Sequence, residues 1–167
     1  GAARNPFIAA QVHLPPVPWR PIAVRTERLI TSQSVRMRKV PLAESLKIIG
    51  RGTLNWVAKR PIVVSFEVTD GCTCWCKHCD HGGPREKPWS MQPADYRRYR
   101  EALNPCVVQV SGGEPLMRPD IVDVVRNIKE GSGLPYTIFV SNWSEMTDEK
   151  YMALREAGID QFSVSLD

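Results

Sequence analysis

From Pro61 onward, short β-branched runs alternate with helical patterns, and this alternation constrains the fold more than any other feature of the sequence. A strand, a helix and a second strand in succession form a right-handed unit with parallel strands. The predicted strands cover 62–68, 107–110, 136–140 and 161–166, and helices are predicted over 93–103, from Pro119 to Gly131 and from Thr147 to Gly158. The fold class is therefore α/β with about four parallel strands.

The first sixty residues follow other patterns. Residues 1–41 are basic and rich in proline, so we expect an extended or disordered lead-in. Residues 42–60 are predicted to be helical, with an apolar face, a break at two glycines and a second turn beyond them: Leu42, Leu46 and Ile49, then Gly50 and Gly52, then Leu54 to Ala58. Residues 61–167 form the predicted core domain.

Charge is distributed unevenly within a net charge of +4. Residues 1–60 hold eleven Lys and Arg against two Asp and Glu, whereas residues 61–167 hold eleven against sixteen. The basic residues are scattered and are not interleaved with aromatic residues, so a solvated arm is expected and nucleic-acid binding is not indicated. The longest apolar runs have the length of strands, which predicts no membrane span.

Four of the five cysteines lie within residues 72–79, and three of them form a C-x3-C-x2-C triplet: Cys72, Cys76 and Cys79. This spacing is too tight for independent disulfides, so metal ligation in the reducing cytoplasm is the expected use. Three thiolates on one loop can hold three irons of a cubane cluster and leave the fourth iron open. Cys106, at the edge of an apolar strand, is predicted to be a buried small hydrophobe.

Polar residues follow each predicted strand. They are the cysteine loop, Gly112-Gly113-Glu114, Ser141-Asn142 and Ser165-Leu166-Asp167. In parallel α/β folds the active loops gather at the carboxyl ends of the strands. We therefore expect these four groups to converge on one rim of the sheet.

These motifs together resemble the radical S-adenosylmethionine (SAM) enzymes, in particular the subfamily of molybdenum-cofactor, PQQ and peptide-maturation (SPASM-like) enzymes. The residues that carry the resemblance are Thr69-Asp70-Gly71-Cys72 with Cys76 and Cys79, Gly112-Gly113-Glu114-Pro115, Val140-Ser141-Asn142 and Val164-Ser165-Leu166-Asp167. It covers roughly residues 60–167. It implies the N-terminal half of a partial (β/α)6 TIM-like barrel, and hence a piece of a longer protein that is cut after the fourth strand.

The resemblance also implies the cofactors and the reaction. A [4Fe-4S] cluster would be held by Cys72, Cys76 and Cys79, and SAM would chelate its open iron. Reductive cleavage of SAM would give a 5′-deoxyadenosyl radical that modifies a peptide or a small metabolite. The implied partners are SAM, this substrate and a reductant such as flavodoxin or ferredoxin.

The family's SAM contacts map onto eight residues of this sequence, most of them at strand ends. They are His78 against the adenine, Gly112, Gly113 and Glu114 near the SAM ammonium, Ser141 and Ser165 toward its carboxylate or ribose, and Asn142 and Asp167 as further cofactor contacts. Two departures from the family pattern are visible. His78 replaces the usual aromatic residue before the last cysteine, and Trp143 replaces the usual glycine after Asn142.

Other interpretations stay open at this point. A structural zinc or redox module could use Cys74, His78 and the triplet, although Cys74 is not expected to be a ligand of an intact cluster. The glycine pair could be a plain turn, and Ser141 and Ser165 could cap local backbone. Residues 80–89 could border the substrate or form a surface loop, and the chain alone could be inactive.

Overall fold

The computed structural model describes residues 40–83, 85, 89–129 and 133–165. Its elements run in the order α1 (Leu42–Val57), β1 (Val63–Glu67), α2 (Pro93–Leu103), β2 (Val107–Ser111), α3 (Ile121–Lys129), β3 (Tyr136–Ser141), α4 (Asp148–Ala157) and β4 (Gln161–Val164). A 3₁₀ turn, Pro115–Met117, lies between β2 and α3. The lead-in predicted over residues 1–41 lies outside the described residues up to position 39, as do Leu166 and Asp167.

The four strands form one parallel sheet in the order β1-β2-β3-β4. Every crossover therefore moves one strand further in the same direction, and the right-handed rule places all three connecting helices on one face. In a doubly wound sheet the strand order would reverse, whereas sequential order is that of a barrel wall. The predicted α/β fold with four parallel strands is confirmed.

The two faces of the sheet have different burial. One face packs against α2, α3 and α4, and its core includes Val108, Val110, Phe139, Val124, Ile128 and Leu154. The opposite face, which corresponds to a barrel interior, is more accessible and mixes polar and apolar side chains. There Ser65 Oγ lies 3.0 Å from Ser111 Oγ on the neighbouring strand.

The predicted helix starts and stops at α2 and α4 are confirmed. The first residue of α2 is Pro93, as its preset φ angle favours. Thr147 caps α4, because its Oγ1 accepts a hydrogen bond from the backbone N–H of Lys150 at 3.2 Å. Gly158 ends the helix with a left-handed φ of 112°.

The break predicted in the first helix is wrong, because α1 continues through Gly50 and Gly52 to Val57. A glycine inside a helix costs about 1 kcal/mol, which tertiary contacts can offset. Here the offset comes from the far end of the helix, where buried Asn55 donates to the carbonyls of Pro61 and Asn104 at 2.9 Å each. The predicted apolar face of Leu42, Leu46 and Ile49 is exposed.

Cys106 is fully buried, as its apolar surroundings predicted. Burial raises the pKa of its thiol, so this side chain stays protonated and inert. In the described part of the chain, no helix combines the length and the apolar character that a membrane crossing requires.

Candidate functional site

A cavity of about 540 Å³ opens at the carboxyl ends of the strands. The loops after β1, β2, β3 and β4 all contribute to its wall. The lining residues are Cys72, Cys74, Cys76, His78, Cys79, Asp80, His81, Ser111, Gly112, Gly113, Val140, Ser141, Asn142 and Ser165. The four polar groups that sequence reasoning assigned to one rim therefore surround one space.

Nine of the eleven predicted site residues line this cavity. They are the cysteine triplet, His78, Gly112, Gly113, Ser141, Asn142 and Ser165. Glu114 does not line it, although Gly112 and Gly113 directly before it do. Asp167 lies outside the described residues.

The cysteine loop is closed at its base by backbone hydrogen bonds. Cys72 N–H donates to the carbonyl of Gly83 at 3.0 Å, and Gly83 N–H donates to the carbonyl of Cys74 at 3.4 Å. The indole of Trp75 lies over this closure, because a Cβ on Gly83 would be 2.0 Å from its ring. Within the loop, Cys74 N–H donates to Cys72 Sγ at 3.4 Å.

The Gly112-Gly113 turn packs against protein backbone. A Cβ on Gly112 would lie 2.4 Å from the Thr69 carbonyl oxygen, and one on Gly113 would lie 2.1 Å from that of Gly71. Gly113 N–H also donates to the Thr69 carbonyl at 2.7 Å. These glycines are required by the start of the cysteine loop itself, which extends the pairing of β1 with β2.

Glu114 is fully buried and directs its carboxylate at the end of β3. Oε1 accepts from Ser141 Oγ at 2.8 Å and from Leu116 N–H at 3.0 Å, while Oε2 accepts from Asn142 N–H at 2.7 Å. Three donors thus satisfy the buried carboxyl oxygens. The contact predicted between Glu114 and the SAM ammonium stays a prediction.

Ser141 and Asn142 also make contacts within the protein. Ser141 Oγ donates to Glu114 and accepts from Trp143 N–H at 2.8 Å, so this hydroxyl caps local backbone as one interpretation proposed. The Asn142 amide faces the cysteine loop, where Nδ2 lies 3.0 Å from Thr73 Oγ1 and 3.3 Å from Cys74 Sγ.

Trp143, at the position of a glycine in the family pattern, has a left-handed backbone with a φ of 67°. A left-handed backbone costs a residue with a Cβ about 1 kcal/mol or more. Its indole packs on Phe162 and Tyr151, with ring centroids 5.6 and 6.3 Å away. The side chain thus anchors the turn to β4 and α4 and does not line the cavity.

Arg118 is 1% exposed and stabilises the segment that leads from β1 into the cysteine loop. Its guanidinium donates to the Val68 carbonyl at 2.9 Å, to the Met91 carbonyl at 2.7 Å and to Tyr96 Oη at 3.0 Å. Asp120 accepts from Nε at 2.6 Å and from Nη2 at 3.0 Å. This hydrogen bonding lowers the pKa of Asp120. No sequence pattern pointed to a buried arginine here.

Some cavity residues were not assigned as site residues from the sequence, although residues 80–89 were considered as a possible border of the substrate. Ser111 and Val140 precede predicted rim residues, so the same strand-end rule would have found them. Asp80 and His81 directly follow Cys79, and His81 Nδ1 lies 4.0 Å from Asp70 Oδ1. Their position beside the cysteines was the available indication that this part of the 80–89 loop faces the cavity.

The donor set fits an iron–sulfur cluster chemically, since four soft thiols, among them the three of the triplet, border one cavity with several hundred cubic ångströms of space. Among the residues that the structure describes, no group of three or more His, Cys, Asp or Glu side chains is arranged to hold a metal ion. The thiol side chains would have to turn toward one another on binding.

Comparison with known proteins agrees with the fold and the rim motifs. The model of the Radical SAM superfamily matches residues 66–167. This segment contains all four strand-end groups and is more than half of the chain. The protein therefore belongs to the radical SAM superfamily, as its motifs predicted.

Two curated relatives share about the same region. A GTP 3',8-cyclase from Limosilactobacillus fermentum is 45% identical over 114 residues, which cover 62% of this chain and 33% of the relative. An AdoMet-dependent heme synthase from Methanosarcina barkeri is 30% identical over 111 residues, which cover 64% of this chain and 31% of the relative. The chain spans about a third of the length of these relatives.

A solved structure, that of BtrN in complex with AdoMet and 2-DOIA, is similar in fold. The TM-score is 0.54 with 24% sequence identity, and the match covers 62% of this chain and 45% of that one. This likeness supports the partial TIM-like barrel that the strand order indicates.

Proposed function

We propose that this protein carries the cluster-binding and SAM-binding half of a radical SAM enzyme. In this proposal Cys72, Cys76 and Cys79 hold a [4Fe-4S] cluster, and a SAM molecule occupies the adjoining cavity. When bound and reduced, such a cluster would supply the one electron that cleaves the C–S bond of SAM to give methionine and a 5′-deoxyadenosyl radical. The radical then modifies a peptide or a small metabolite.

The observation that carries the proposal is the shared cavity. Thiols from the loop after β1 face backbone and polar groups from the loops after β2, β3 and β4 across about 540 Å³. A three-thiol set leaves one iron for an external ligand, and the neighbouring polar wall suits the charged amino-acid end of SAM. Family membership of residues 66–167 supports the same assignment.

The chain's own residues would orient SAM and exclude water. The backbone of Gly112-Gly113 and the side chains of Ser141, Asn142 and Ser165 border the cavity and are the proposed SAM contacts. His78 is the proposed neighbour of the adenine, and Asp167 a further contact. Glu114 holds Ser141 and Asn142 in place from behind.

The primary experiment is anaerobic reconstitution of the full 167-residue chain with iron and sulfide. Brown colour, about four irons per chain and an electron paramagnetic resonance signal after reduction are expected, and added SAM should change this signal. Cys72→Ala, Cys76→Ala and Cys79→Ala should each lose most of the iron. Mass spectrometry of 5′-deoxyadenosine, with a strong reductant, then measures SAM cleavage.

Cys74→Ala is the matched control, because Cys74 lines the same cavity from the same loop. It should retain about as much iron as the unchanged chain. Iron binding that survives loss of Cys76 but not of Cys74 would reverse the ligand assignment. A colourless protein with bound zinc would instead support the structural zinc module.

A further inference from the structure

Two loops that are distant in sequence meet at the side chain of Thr73. Thr73 Oγ1 lies 2.8 Å from Ser144 Oγ and accepts a hydrogen bond from Asn142 Nδ2 at 3.0 Å. Thr73 belongs to the cysteine loop, while Asn142 and Ser144 belong to the turn between β3 and α4. Neither Thr73 nor Ser144 lines the cavity, so the contact joins its two walls from outside.

The turn at Asn142–Ser144 is held firmly enough to act as a support. Trp143 is anchored by its aromatic contacts with Phe162 and Tyr151. The Ser144 N–H donates to Asn142 Oδ1 at 2.9 Å, and this fixes the amide so that Nδ2 faces the cysteine loop. Thr73 therefore contacts a turn whose own geometry is already set.

The same contacts lead directly to cysteine sulfur. Asn142 Nδ2 is 3.3 Å from Cys74 Sγ, and the backbone N–H of Cys74, the residue after Thr73, donates to Cys72 Sγ. Movement of Thr73 would therefore shift the donor to Cys72 as well as the loop backbone. Hydrogen bonds to sulfur and the placement of the thiolates both affect an iron–sulfur cluster.

We propose that Thr73 is a positioning residue, which couples the cysteine loop to the β3–α4 turn and so sets the separation between the thiol wall and the Ser141–Asn142 wall. The coupling itself is a property of the chain. Its consequence for the cluster and SAM rests on the proposed function. A hydroxyl is required at this position because it must serve both Ser144 and Asn142.

The coupling is tested on the metal-free chain by hydrogen exchange with mass spectrometry. Thr73→Val keeps the shape and removes the hydroxyl, Thr73→Ser keeps the hydroxyl, and Thr53→Val is the control on an exposed helical threonine. Thr73→Val should speed exchange of residues 72–79 and 142–145 about fivefold, as loss of about 1 kcal/mol predicts. Thr73→Ser and Thr53→Val should leave it unchanged.

A double-mutant cycle with Ser144→Ala decides whether the two hydroxyls act together. The double variant should exchange no faster than Thr73→Val alone, because both changes remove the same contact. Additive effects, or unchanged exchange in Thr73→Val, would overturn the coupling. This result does not depend on whether the chain binds a cluster.

The positioning role is tested on the reconstituted protein. Thr73→Val should keep its iron content but need several times more SAM for half of the SAM-induced change in the paramagnetic signal. An unchanged SAM titration at equal iron would overturn the positioning role. If the unchanged chain takes up no iron, the proposed function fails, while the exchange experiment still decides the coupling.

Discussion

At the scale of the residue, Glu114 shows how one buried side chain organises the rim. Its carboxylate joins the turn after β2 to the end of β3 through Ser141 and Asn142. Glu114→Gln replaces one acceptor oxygen with a donor amide, which leaves a buried N–H without its acceptor. We expect a loss of about 1–3 kcal/mol in the free energy of unfolding, measured by urea denaturation.

Glu101→Gln is the matched control for this change. Glu101 lies on the surface of α2, where its carboxylate is 3.5 Å from Arg100. The Glu101 side chain is 58% exposed, although that of Arg100 is only 15% exposed, so a neutral amide at position 101 keeps its contact with water and this variant should unfold within about 1 kcal/mol of the unchanged chain. Equal stability of the Glu114 and Glu101 variants would contradict the bracing role of Glu114.

Asp120 gives a prediction about acid stability. Its hydrogen bonds with buried Arg118 lower the pKa of the carboxyl in the folded state. The resulting stabilisation is present above the unfolded pKa of about 3.9 and is lost as the pH falls from there through the lower folded pKa. Asparagine does not titrate, so acidification from about pH 5 to about pH 2 should lower the free energy of unfolding less in Asp120→Asn than in the unchanged chain.

At pH 7, Asp120→Asn should cost about 3 kcal/mol, because Arg118 keeps a buried charge without its counterion. Asp123→Asn is the control, since Asp123 pairs with Arg126 at 2.7 Å while both side chains are 59% exposed. That change should cost less than about 1 kcal/mol. Parallel loss of stability with acid in the unchanged chain and the Asp120 variant would refute this account.

The positions of these residues could be predicted from the sequence better than the directions of their side chains. The strand-end rule correctly grouped Gly112, Ser141 and Ser165 on one rim, because strand positions follow from the hydrophobic pattern. The direction of the Glu114 carboxylate depends on donors at and just after the end of β3, 27 and 28 residues away. Such tertiary contacts leave no local pattern, and the buried Arg118 was missed for the same reason.

At the scale of the element, two glycines differ in whether the structure leaves room for a Cβ atom. Gly113 has no room for a Cβ because the Gly71 carbonyl is 2.1 Å from its position, whereas nothing lies within 4 Å of a Cβ at Gly50 in α1. Gly113→Ala should separate the turn from the cysteine loop and cost several kcal/mol by a steric mechanism. Gly50→Ala should stabilise by about 0.5–1 kcal/mol. Thermal unfolding of both variants tests this, and a tolerated alanine at Gly113 would contradict it.

The β3–α4 turn allows the backbone strain at Trp143 to be separated from its packing. Trp143→Gly loses the aromatic contacts but relieves the left-handed backbone, while Trp143→Ala loses the contacts and keeps the strain. Both should be destabilised, and the glycine variant should be more stable than the alanine variant by about 1 kcal/mol. Urea denaturation measures the difference. An alanine variant at least as stable as the glycine variant would show that this backbone is not strained.

At the scale of the whole molecule, the sheet and α1 could be predicted to different degrees. Strand and helix positions in the βαβ part follow from local periodicity, and the bounds of α2 agree with prediction at both ends. The predicted length of α1 was wrong, because the C-terminal end of this helix is fixed by contacts with Pro61 and Asn104 that composition does not reveal. Local sequence patterns thus predict the sheet well, but they do not predict how α1 is attached to the rest of the fold.

This difference predicts that α1 opens separately from the sheet. Asn55 is buried, while the apolar residues Leu42, Leu46 and Ile49 are exposed, so few apolar contacts oppose opening. Hydrogen exchange of α1 should be at least about tenfold faster than that of β2 and β3, a difference of about 1.4 kcal/mol. Asn55→Ala should accelerate exchange in α1 further and leave both strands unchanged, because the carbonyls of Pro61 and Asn104 lose the donor that ties them to α1. Asn127→Ala controls for the change in helix propensity, since Asn127 bonds within α3 at 2.9 Å. Equal acceleration of α1 and the central strands by Asn55→Ala would mean that helix and sheet unfold as one unit.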